Sequence, residues 1–310
     1  MLVCAVALPL LVGCGGDDAD PQSGSDLPPA GGSGSLTYSL PNLPSDLDPL
    51  AAEGRAEQTV TRQVHEPLVA QLTGPYGGMG KQPGLALSAR PSDRNTVWTI
   101  ALRPGVRFQD GTPFNGAAVL ANARRWRSVP ASQRLLPDLF AVDAPRPDQV
   151  RFLLERPAAD LPERLSSPRL GVVSPRALDP QSGEGARLRP GARGSGTGPF
   201  EAGGRAARRL ELGRFGAWWG SAAGLGPALD GVIFLADPSE QRRLSLLQAG
   251  TVQVADPLGA AALGEVRADP LLNVVGGPVT GIGLVGSVRG LDSVRAVPVL
   301  SGVWLTDISD

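Results

Sequence analysis

The sequence predicts an α/β protein that is large enough to bury a substantial core. Its 310 residues are 42% hydrophobic and carry a formal net charge of −1. The clearest unit is residues 231–254, where the apolar run GVIFL is followed by a helical pattern and then by the strand-like run VQV. Because two strands joined by a helix normally pair in parallel, this unit favours the α/β class. The balanced charge gives no indication of nucleic-acid binding.

The helix inside this unit has recognisable start and stop signals. Asp237 is the expected N-cap, Pro238 occupies the first helical position, and Glu240 completes a capping box. Gly250 ends the helix. These signals predict that the two strand-like runs form a parallel pair connected by a crossover helix.

Periodicity predicts the other elements along the chain. Alternating apolar and polar residues indicate strands, and apolar residues at helical spacing indicate helices. Asn115 is a good N-cap for the helix that follows it, and the R-P-G turn at 103–105 is expected to join two strands of a hairpin. The predicted elements are a strand at 35–40, a helix at 51–72, a hairpin within 97–114, a helix at 116–127, a hairpin at 139–155, a short helix at 157–167 and a strand at 209–212.

The N-terminal segment has the features of a bacterial lipoprotein leader. Its apolar run of about ten residues is too short to span a bilayer but suits a signal peptide, and it ends in L-V-G-C, which resembles a lipobox. We therefore expect a signal peptide at 1–14, a lipid on Cys14 and a flexible tether at 15–35. Both cysteines of the chain, Cys4 and Cys14, lie in this leader, so the mature domain is expected to have no thiol for a disulfide, a metal site or a nucleophile.

The sequence contains no recognisable constellation of catalytic or metal-binding residues. The single histidine, His65, lies in an apolar helical pattern, where a structural role is far more common than a catalytic one. The glycines of GSGTGPF, residues 194–200, precede a strand rather than open a helix, which favours a turn over a phosphate cradle. Two carboxylates from distant segments would still permit hydrolysis, so a hydrolase stays open. Binding without chemistry, with no metal and no cofactor, is the expected activity.

Residues 97–114, VWTIALRPGVRFQDGTPF, resemble the signature of the peptide/nickel-type solute-binding proteins of ABC importers, family 5. In that family a strand leads through a V-x-F-H-D-G-T-P segment into an N-capped helix. This chain differs at Gln109, where histidine is common, and at Ala118, where an acid usually completes the capping box. Both differences are expected to be structural losses, on the order of 1 kcal/mol for a missing cap interaction. Further segments match in the family's order: SDLDP at 45–49, HEPLV at 65–69, PGLA at 83–86, GTGPF at 196–200, WW at 218–219 with LDGVIF at 229–234, and LQAGTVQVA at 247–255.

The resemblance implies a periplasmic-binding-protein-like lobe of the class II type with an inserted α+β subdomain. The main lobe is expected at 36–75 and 195–290, and the inserted subdomain at 76–194. Residues 291–310 are expected to be the truncated start of the hinge and of a second lobe, and the sequence is expected to be either a fragment of a longer protein or a reduced member of the family with one lobe.

The resemblance also implies a function. The protein is expected to bind a small solute, an oligopeptide or a similar molecule, and to deliver it to the permease subunits of an ABC importer by hinge closure. It is expected to be an extracytoplasmic monomer, anchored to the cell membrane by its N-terminal lipid. The alternative is a reduced surface lipoprotein that acts by protein–protein contact without transport.

Four residues are the candidate ligand contacts. Glu53, Gly54 and Arg55 follow the L-D-P segment, whose loop faces the ligand in the family. Glu53 is expected to meet a ligand amine and Arg55 a carboxylate, with a solvated helix start as the alternative. Trp218 is the fourth candidate, and its alternative role is packing in the core.

Overall fold

The computed structural model describes residues 34–275, except 71, 74–78, 81–83, 179–187, 189–194, 223–226 and 228, together with three short strands beyond that range. The predicted signal peptide, Cys14 and nearly all of the predicted tether lie outside the described residues. The strands are β1 (Ser35–Leu40), β2 (Leu72–Thr73), β3 (Met79–Gly80), β4 (Ala86–Ser92), β5 (Val97–Leu102), β6 (Leu139–Arg146), β7 (Gln149–Leu154), β8 (Phe200–Ala206), β9 (Arg209–Arg214), β10 (Gly231–Ala236), β11 (Val254–Leu258), β12 (Asn273–Val275), β13 (Gly283–Gly286), β14 (Val297–Leu300) and β15 (Val303–Leu305). The helices are α1 (Arg55–Val64), α2 (Gly116–Ser128), α3 (Pro130–Gln133), α4 (Leu161–Arg164), α5 (Trp219–Ala222), α6 (Glu240–Gln248) and α7 (Ala260–Ala268).

The larger sheet has seven strands in the order β12-β13-β11-β1-β10-β9-β8. β1 runs parallel to β10 on one side and to β11 on the other, whereas the remaining neighbours pair antiparallel. The predicted strand–helix–strand unit is present as β10, α6 and β11. The prediction that its two strands pair directly is wrong, because β1 lies between them.

Helices cover both faces of this sheet. The alternating residues Leu36, Tyr38 and Leu40 of β1 pack with Val60 of α1 in one buried cluster. On the opposite face, α6 and α7 pack in a second cluster that includes Leu235 of β10. The two-residue alternation of a strand separates these two sets of side chains, so the sheet is a middle layer between α1 and the pair α6 and α7.

The smaller sheet has four antiparallel strands in the order β4-β5-β7-β6. Its buried face packs with α2 in a separate cluster. The hairpin predicted at 139–155 is confirmed as β6 and β7. The hairpin predicted across the turn at 103–105 is wrong, because β5 pairs with β4 and β7 and residues 103–114 form a loop. All four strands lie within the predicted inserted subdomain, whose bounds stay a prediction.

Two predicted helix ends need correction. α1 ends at Val64 rather than at residue 72, because Pro67 restricts the residue before it to extended backbone. α6 begins after Ser239, whose hydroxyl accepts a hydrogen bond from the backbone N–H of Arg242 at 3.2 Å. The expected cap, Asp237, instead accepts from the backbone N–H of Ser239 at 3.0 Å.

The cap predicted for the helix after residue 115 is confirmed. The side-chain oxygen of Asn115 accepts a hydrogen bond from the backbone N–H of Ala118 at 3.1 Å, at the start of α2. None of the helices in the described part of the chain combines the length and the apolar character that crossing a membrane requires.

A turn rich in glycine, residues 195–199, packs against the end of α1; we call it the glycine turn. The backbone N–H of Gly198 donates to the carbonyl oxygen of Val64 at 2.9 Å. A Cβ atom at Gly196 would lie 1.8 Å from the same carbonyl oxygen, which no side chain tolerates. Turn and helix therefore approach backbone to backbone, which requires glycine. The glycine turn leads into β8, as expected for a turn rather than a phosphate loop.

Gln109 joins the loop after β5 to the glycine turn. Its Nε2 donates to the carbonyl oxygens of Phe200 at 2.7 Å and of Gly198 at 3.2 Å. Its backbone N–H donates to the carbonyl oxygen of Gly196 at 2.9 Å. This side chain thus connects the smaller sheet to the larger one, and a loss relative to the histidine that is common in the family stays a prediction.

The close contact predicts a large penalty for any side chain at Gly196. Gly196→Ala is expected to lower the free energy of unfolding by at least about 3 kcal/mol, because the backbone of the turn or of α1 must move. Urea denaturation measures this change. Gly216→Ala is the matched control, since a Cβ atom there meets nothing within 4 Å, and it should change the stability by less than about 1 kcal/mol. Equal effects of the two substitutions would contradict the close approach.

The Gln109 contacts predict a second, smaller penalty. Gln109→Ala leaves the two carbonyl oxygens without this donor and is expected to cost about 1–3 kcal/mol in unfolding free energy. Gln133→Ala, which removes one exposed hydrogen bond to the carbonyl oxygen of Arg127, is the control and should cost less than about 1 kcal/mol. A loss at Gln109 no greater than that of the control would show that the junction does not depend on this side chain.

Candidate functional site

The fold directs attention to the carboxyl ends of the three parallel strands, which we call the carboxyl edge: Leu40 of β1, Ala236 of β10 and Leu258 of β11. The chain leaves β1 toward α1 on one face, and it leaves β10 toward α6 on the other face. In open α/β sheets, ligands bind outside such an edge, at the point where the connections diverge to opposite faces. The carboxyl edge is therefore the place where this topology favours a ligand.

A charged cluster of Arg55, Asp256 and Tyr38 lies at the carboxyl edge. Arg55 is the first residue of α1, and its Nε lies 3.4 Å from Oδ2 of Asp256 on β11. The hydroxyl of Tyr38 donates to the same oxygen at 3.2 Å. The side chain of Asp256 is 1% exposed, whereas that of Arg55 is 39% exposed. The arginine thus covers a buried carboxylate and keeps part of its guanidinium in contact with solvent.

Burial shifts the titration of this cluster. Removal from water raises the pKa of the Asp256 carboxyl, and Arg55 opposes that rise. Burial, reinforced by the negative charge of Asp256, raises the pKa of the Tyr38 phenol well above its usual range. Burial, and then the neighbouring Arg55, lowers the pKa of the Arg62 guanidinium to about 10. Tyr38 therefore stays a neutral donor at physiological pH.

Glu53 and Gly54 lie beside Arg55, as expected from their sequence. Gly54 is the N-cap of α1, and its backbone N–H donates to Oε2 of Glu57 at 2.5 Å. Glu53 is 74% exposed, with Oε1 at 3.6 Å from the guanidinium of Arg169. The structure thus brings three of the four candidate residues together at the start of α1.

Two arginines, one buried and one partly buried, hold the loop that precedes these residues. Arg125 of α2 forms an ion pair with Asp48, and both side chains are buried. Arg169 donates to the carbonyl oxygen of Leu50 at 3.1 Å. Neither contact has a local signal in the sequence, because the paired residues are 77 and 119 positions apart.

Trp218 does not lie with the other candidates. It packs against Trp219, with ring centroids 5.4 Å apart, and its side chain is buried. Trp219 in turn donates from Nε1 to Oε2 of Glu66 at 2.9 Å, beyond the C-terminal end of α1. Because Arg55 begins this ten-residue helix, about 15 Å of helix separates the two groups. These contacts favour the packing role of Trp218, and its contact with a ligand stays a prediction.

His65 is buried and has partners on both ring nitrogens. Nδ1 lies 3.2 Å from the carbonyl oxygen of Val172, and Nε2 lies 3.3 Å from the hydroxyl of Ser195. A carbonyl accepts only, so Nδ1 carries the proton and Nε2 accepts from the hydroxyl. Burial lowers the pKa of His65 to about 4, which keeps the ring neutral. The geometry is that of a structural histidine.

The charged groups of the carboxyl edge suit recognition of a polar solute. Among the described residues, no group of three or more histidine, cysteine, aspartate or glutamate side chains is placed to hold a metal ion. A half-exposed guanidinium and an exposed carboxylate, by contrast, are complementary to a carboxylate and an amine.

Comparison with known proteins identifies the family of this chain. The profile of the family described as bacterial extracellular solute-binding proteins, family 5 Middle, matches residues 81–287. The chain belongs to this family. Family 5 proteins are solute-binding components of ABC transporters rather than enzymes, and the chain has their periplasmic-binding-protein-like α/β fold.

Comparison with individual proteins shows what share of each of them this chain covers. It is 31% identical to the glutathione-binding protein GsiB of Escherichia coli K12 over 217 residues, which are 68% of this chain and 40% of GsiB. The binding protein AgaA of Agrobacterium tumefaciens R10, solved with agropinic acid, superposes with a TM-score of 0.68 at 26% identity, over 78% of this chain and 47% of AgaA. The peptide-bound DppA of Helicobacter pylori superposes with a TM-score of 0.64 at 21% identity, over 78% and 50% of the two chains. The chain therefore spans about half the length of the solved relatives.

The Glu66 carboxyl predicts a pH-dependent stability. Burial raises its pKa from 4.5 to about 7, although the hydrogen bond from Trp219 and the positive charge of Arg103 each act to lower the pKa. Between these two pH values the folded protein binds more protons than the unfolded chain, so this group's contribution is present below pH 4.5 and is lost as the pH rises through 7.

Glu66→Gln is therefore expected to flatten the decline in unfolding free energy between pH 5 and pH 8, measured by urea denaturation at both values. The lowered pKa of His65 makes its own contribution to the unfolding free energy rise with pH at acidic pH, opposite to that of Glu66. Because His65 is present in every protein compared, its contribution cancels. Glu155→Gln, at an exposed position, is the control and should leave the decline unchanged. The same decline in all three proteins would show that Glu66 does not titrate in this range.

Proposed function

We propose that this protein is the extracytoplasmic receptor of an ABC importer and that it binds a small peptide at the carboxyl edge. Membership of the family supports the receptor role, and the similarity to glutathione- and peptide-binding relatives supports a peptide as the solute. The observation that carries the proposal is the half-exposed guanidinium of Arg55 over the buried carboxylate of Asp256. It lies where this topology places ligands.

The roles of the individual residues follow from their chemistry. Arg55 binds a carboxylate of the peptide, because the planar guanidinium matches the geometry of a carboxylate. Glu53 binds an amine of the peptide. When it does so, it gives up its weak contact with Arg169. Gly54 keeps the backbone at the start of α1 open to the solute, since it has no side chain.

The proposed setting is the outer surface of the cell membrane. In this proposal a lipid on Cys14 anchors the chain, residues 15–35 give it reach, and a permease receives the solute. The function involves no bond making and no resident metal. A nickel complex, such as the one bound by the NikA relative of Staphylococcus aureus, is the alternative solute that the screen below includes.

A ligand screen tests this proposal directly. The full chain is mixed with glutathione, trialanine, maltose and a nickel–histidine complex, and the shift in melting temperature and the heat of binding are measured. Glutathione or trialanine should stabilise the chain by mass action. If only the nickel complex binds, the solute is a metal chelate rather than a peptide. If none of the probes changes the melting temperature, the result favours the alternative, a surface lipoprotein that acts through protein contacts.

Arg55→Ala is the decisive variant for the site. Loss of a charge-assisted contact is worth about 1.5–3 kcal/mol, so peptide affinity should fall about 10- to 100-fold. Arg214→Ala is the matched control, because the side chain of Arg214 is also 39% exposed and also pairs with an aspartate, Asp230. Unchanged affinity in Arg55→Ala would move the binding site away from the carboxyl edge.

A further inference from the structure

We propose that Asp256 and Tyr38 are positioning residues that fix Arg55, so that the site selects solutes with a free carboxylate. This inference rests on the proposed function and goes beyond it, because it assigns roles to two buried residues and names the chemical group that decides selection. Neither residue is accessible to a solute itself, since both are almost fully buried.

The contact between Arg55 and Asp256 uses one edge of the guanidinium. Nε faces Oδ2 of Asp256 at 3.4 Å, and no other hydrogen bond of Arg55 is formed among the described residues. The two terminal nitrogens are therefore available as a fork, and 39% of the side chain is exposed. Two parallel N–H donors are the geometry that a carboxylate accepts in bidentate fashion.

Tyr38 determines where the carboxylate of Asp256 points. Its hydroxyl donates to Oδ2, the same oxygen that faces Arg55. The ring of Tyr38 is itself held by Phe234 on β10, with ring centroids 5.6 Å apart. A rigid tyrosine on the central strand therefore fixes the aspartate on β11, and the aspartate fixes the arginine on α1.

Two guanidinium groups, those of Arg55 and Arg243, act on the buried carboxylate of Asp256. On β11 the buried carboxylate of Asp256 faces the cation of Arg55, and Arg62 on α1 adds a second cation close to Arg55. A third guanidinium, of Arg243 on α6, donates to the backbone carbonyl oxygens of Asp237 and Pro257. Arg243 is thus already paired within the protein, and the terminal nitrogens of Arg55 are the donors that a solute carboxylate would meet, whereas the exposed Glu53 beside it suits an amine.

The test compares a peptide with its own derivatives on the full chain. Calorimetry measures the affinity for trialanine, trialanine amide and N-acetyl-trialanine, and for glutathione and its diethyl ester. The unmutated chain should bind the free acid at least about tenfold more tightly than the amide or ester, because only the acid accepts a bidentate contact. Acetylation of the amine should leave this preference in place.

The variants separate positioning from a merely structural role. In Asp256→Asn and Tyr38→Phe the preference for the acid over the amide should fall to less than about threefold, while the affinity for the amide stays within about threefold of the unmutated value. A structural role alone would weaken acid and amide by the same factor and leave their ratio unchanged. Asp230→Asn, which alters the equivalent partner of Arg214, should change neither affinity.

Each outcome bears on one of the two proposals. If the unmutated chain binds no probe, the proposed function fails and this inference fails with it. If it binds peptides but Tyr38→Phe, a mild substitution whose folding is checked by its melting temperature, keeps the preference for the acid, only this inference is overturned. A preference for the free amine over the acetylated peptide that Asp256→Asn abolishes would also overturn it, since the carboxylate of Asp256 would then bind the solute itself.

Discussion

The contact between the glycine turn and the last turn of α1 is the constraint on which the rest of the arrangement depends. The carbonyl oxygen of Val64 occupies the space that a side chain at Gly196 would need, and it accepts a hydrogen bond from Gly198. This contact sets the height and direction of α1 above the larger sheet. Because a helix is rigid over this length, fixing its end also fixes Arg55 at its start.

The same contact connects the two sheets. The side chain of Gln109 extends from the loop after β5 and donates to the carbonyl oxygens of Gly198 in the turn and of Phe200 at the start of β8. A polar side chain that satisfies several backbone acceptors at once is costly to replace, since each acceptor would be left without a partner. The segment that carries the family signature is therefore part of the junction between the two sheets.

The sequence was sufficient for elements whose signals are local. The cap at Asn115, the hairpin of β6 and β7, and the succession of β10, α6 and β11 all follow from residues that are neighbours in the chain. Errors arose where a distant element decided the outcome. The insertion of β1 between β10 and β11 cannot be seen within residues 231–254, because its strand lies about two hundred residues earlier in the chain. The cap of α6 is Ser239 rather than Asp237 because the two residues compete locally, and the aspartate also pairs with Arg208 and Arg242.

The candidate site likewise contains residues that have a local signal in the sequence and a residue that has none. Arg55 and its neighbours were predicted from a family resemblance in one short segment, and the structure places them together at the carboxyl edge. Asp256 carries no such signal, because its partners Tyr38 and Arg55 are 218 and 201 residues away. The parallel pairing of β1 with β11 brings Tyr38 and Asp256 together, and the placement of α1 adds Arg55.

The burial of Asp256 supports the role proposed for Arg55 in binding a solute carboxylate. An exposed ion pair contributes little, because water screens it and both side chains lose entropy when they are held. A carboxylate that is 1% exposed is costly to bury without its cation, so the arginine that covers it is held firmly. The entropy of ordering Arg55 is then lost when the chain folds rather than when a solute binds. In the proposed mode of binding, a solute would therefore meet a guanidinium that is already oriented, and the binding energy of its carboxylate would go into affinity instead of into arranging the site.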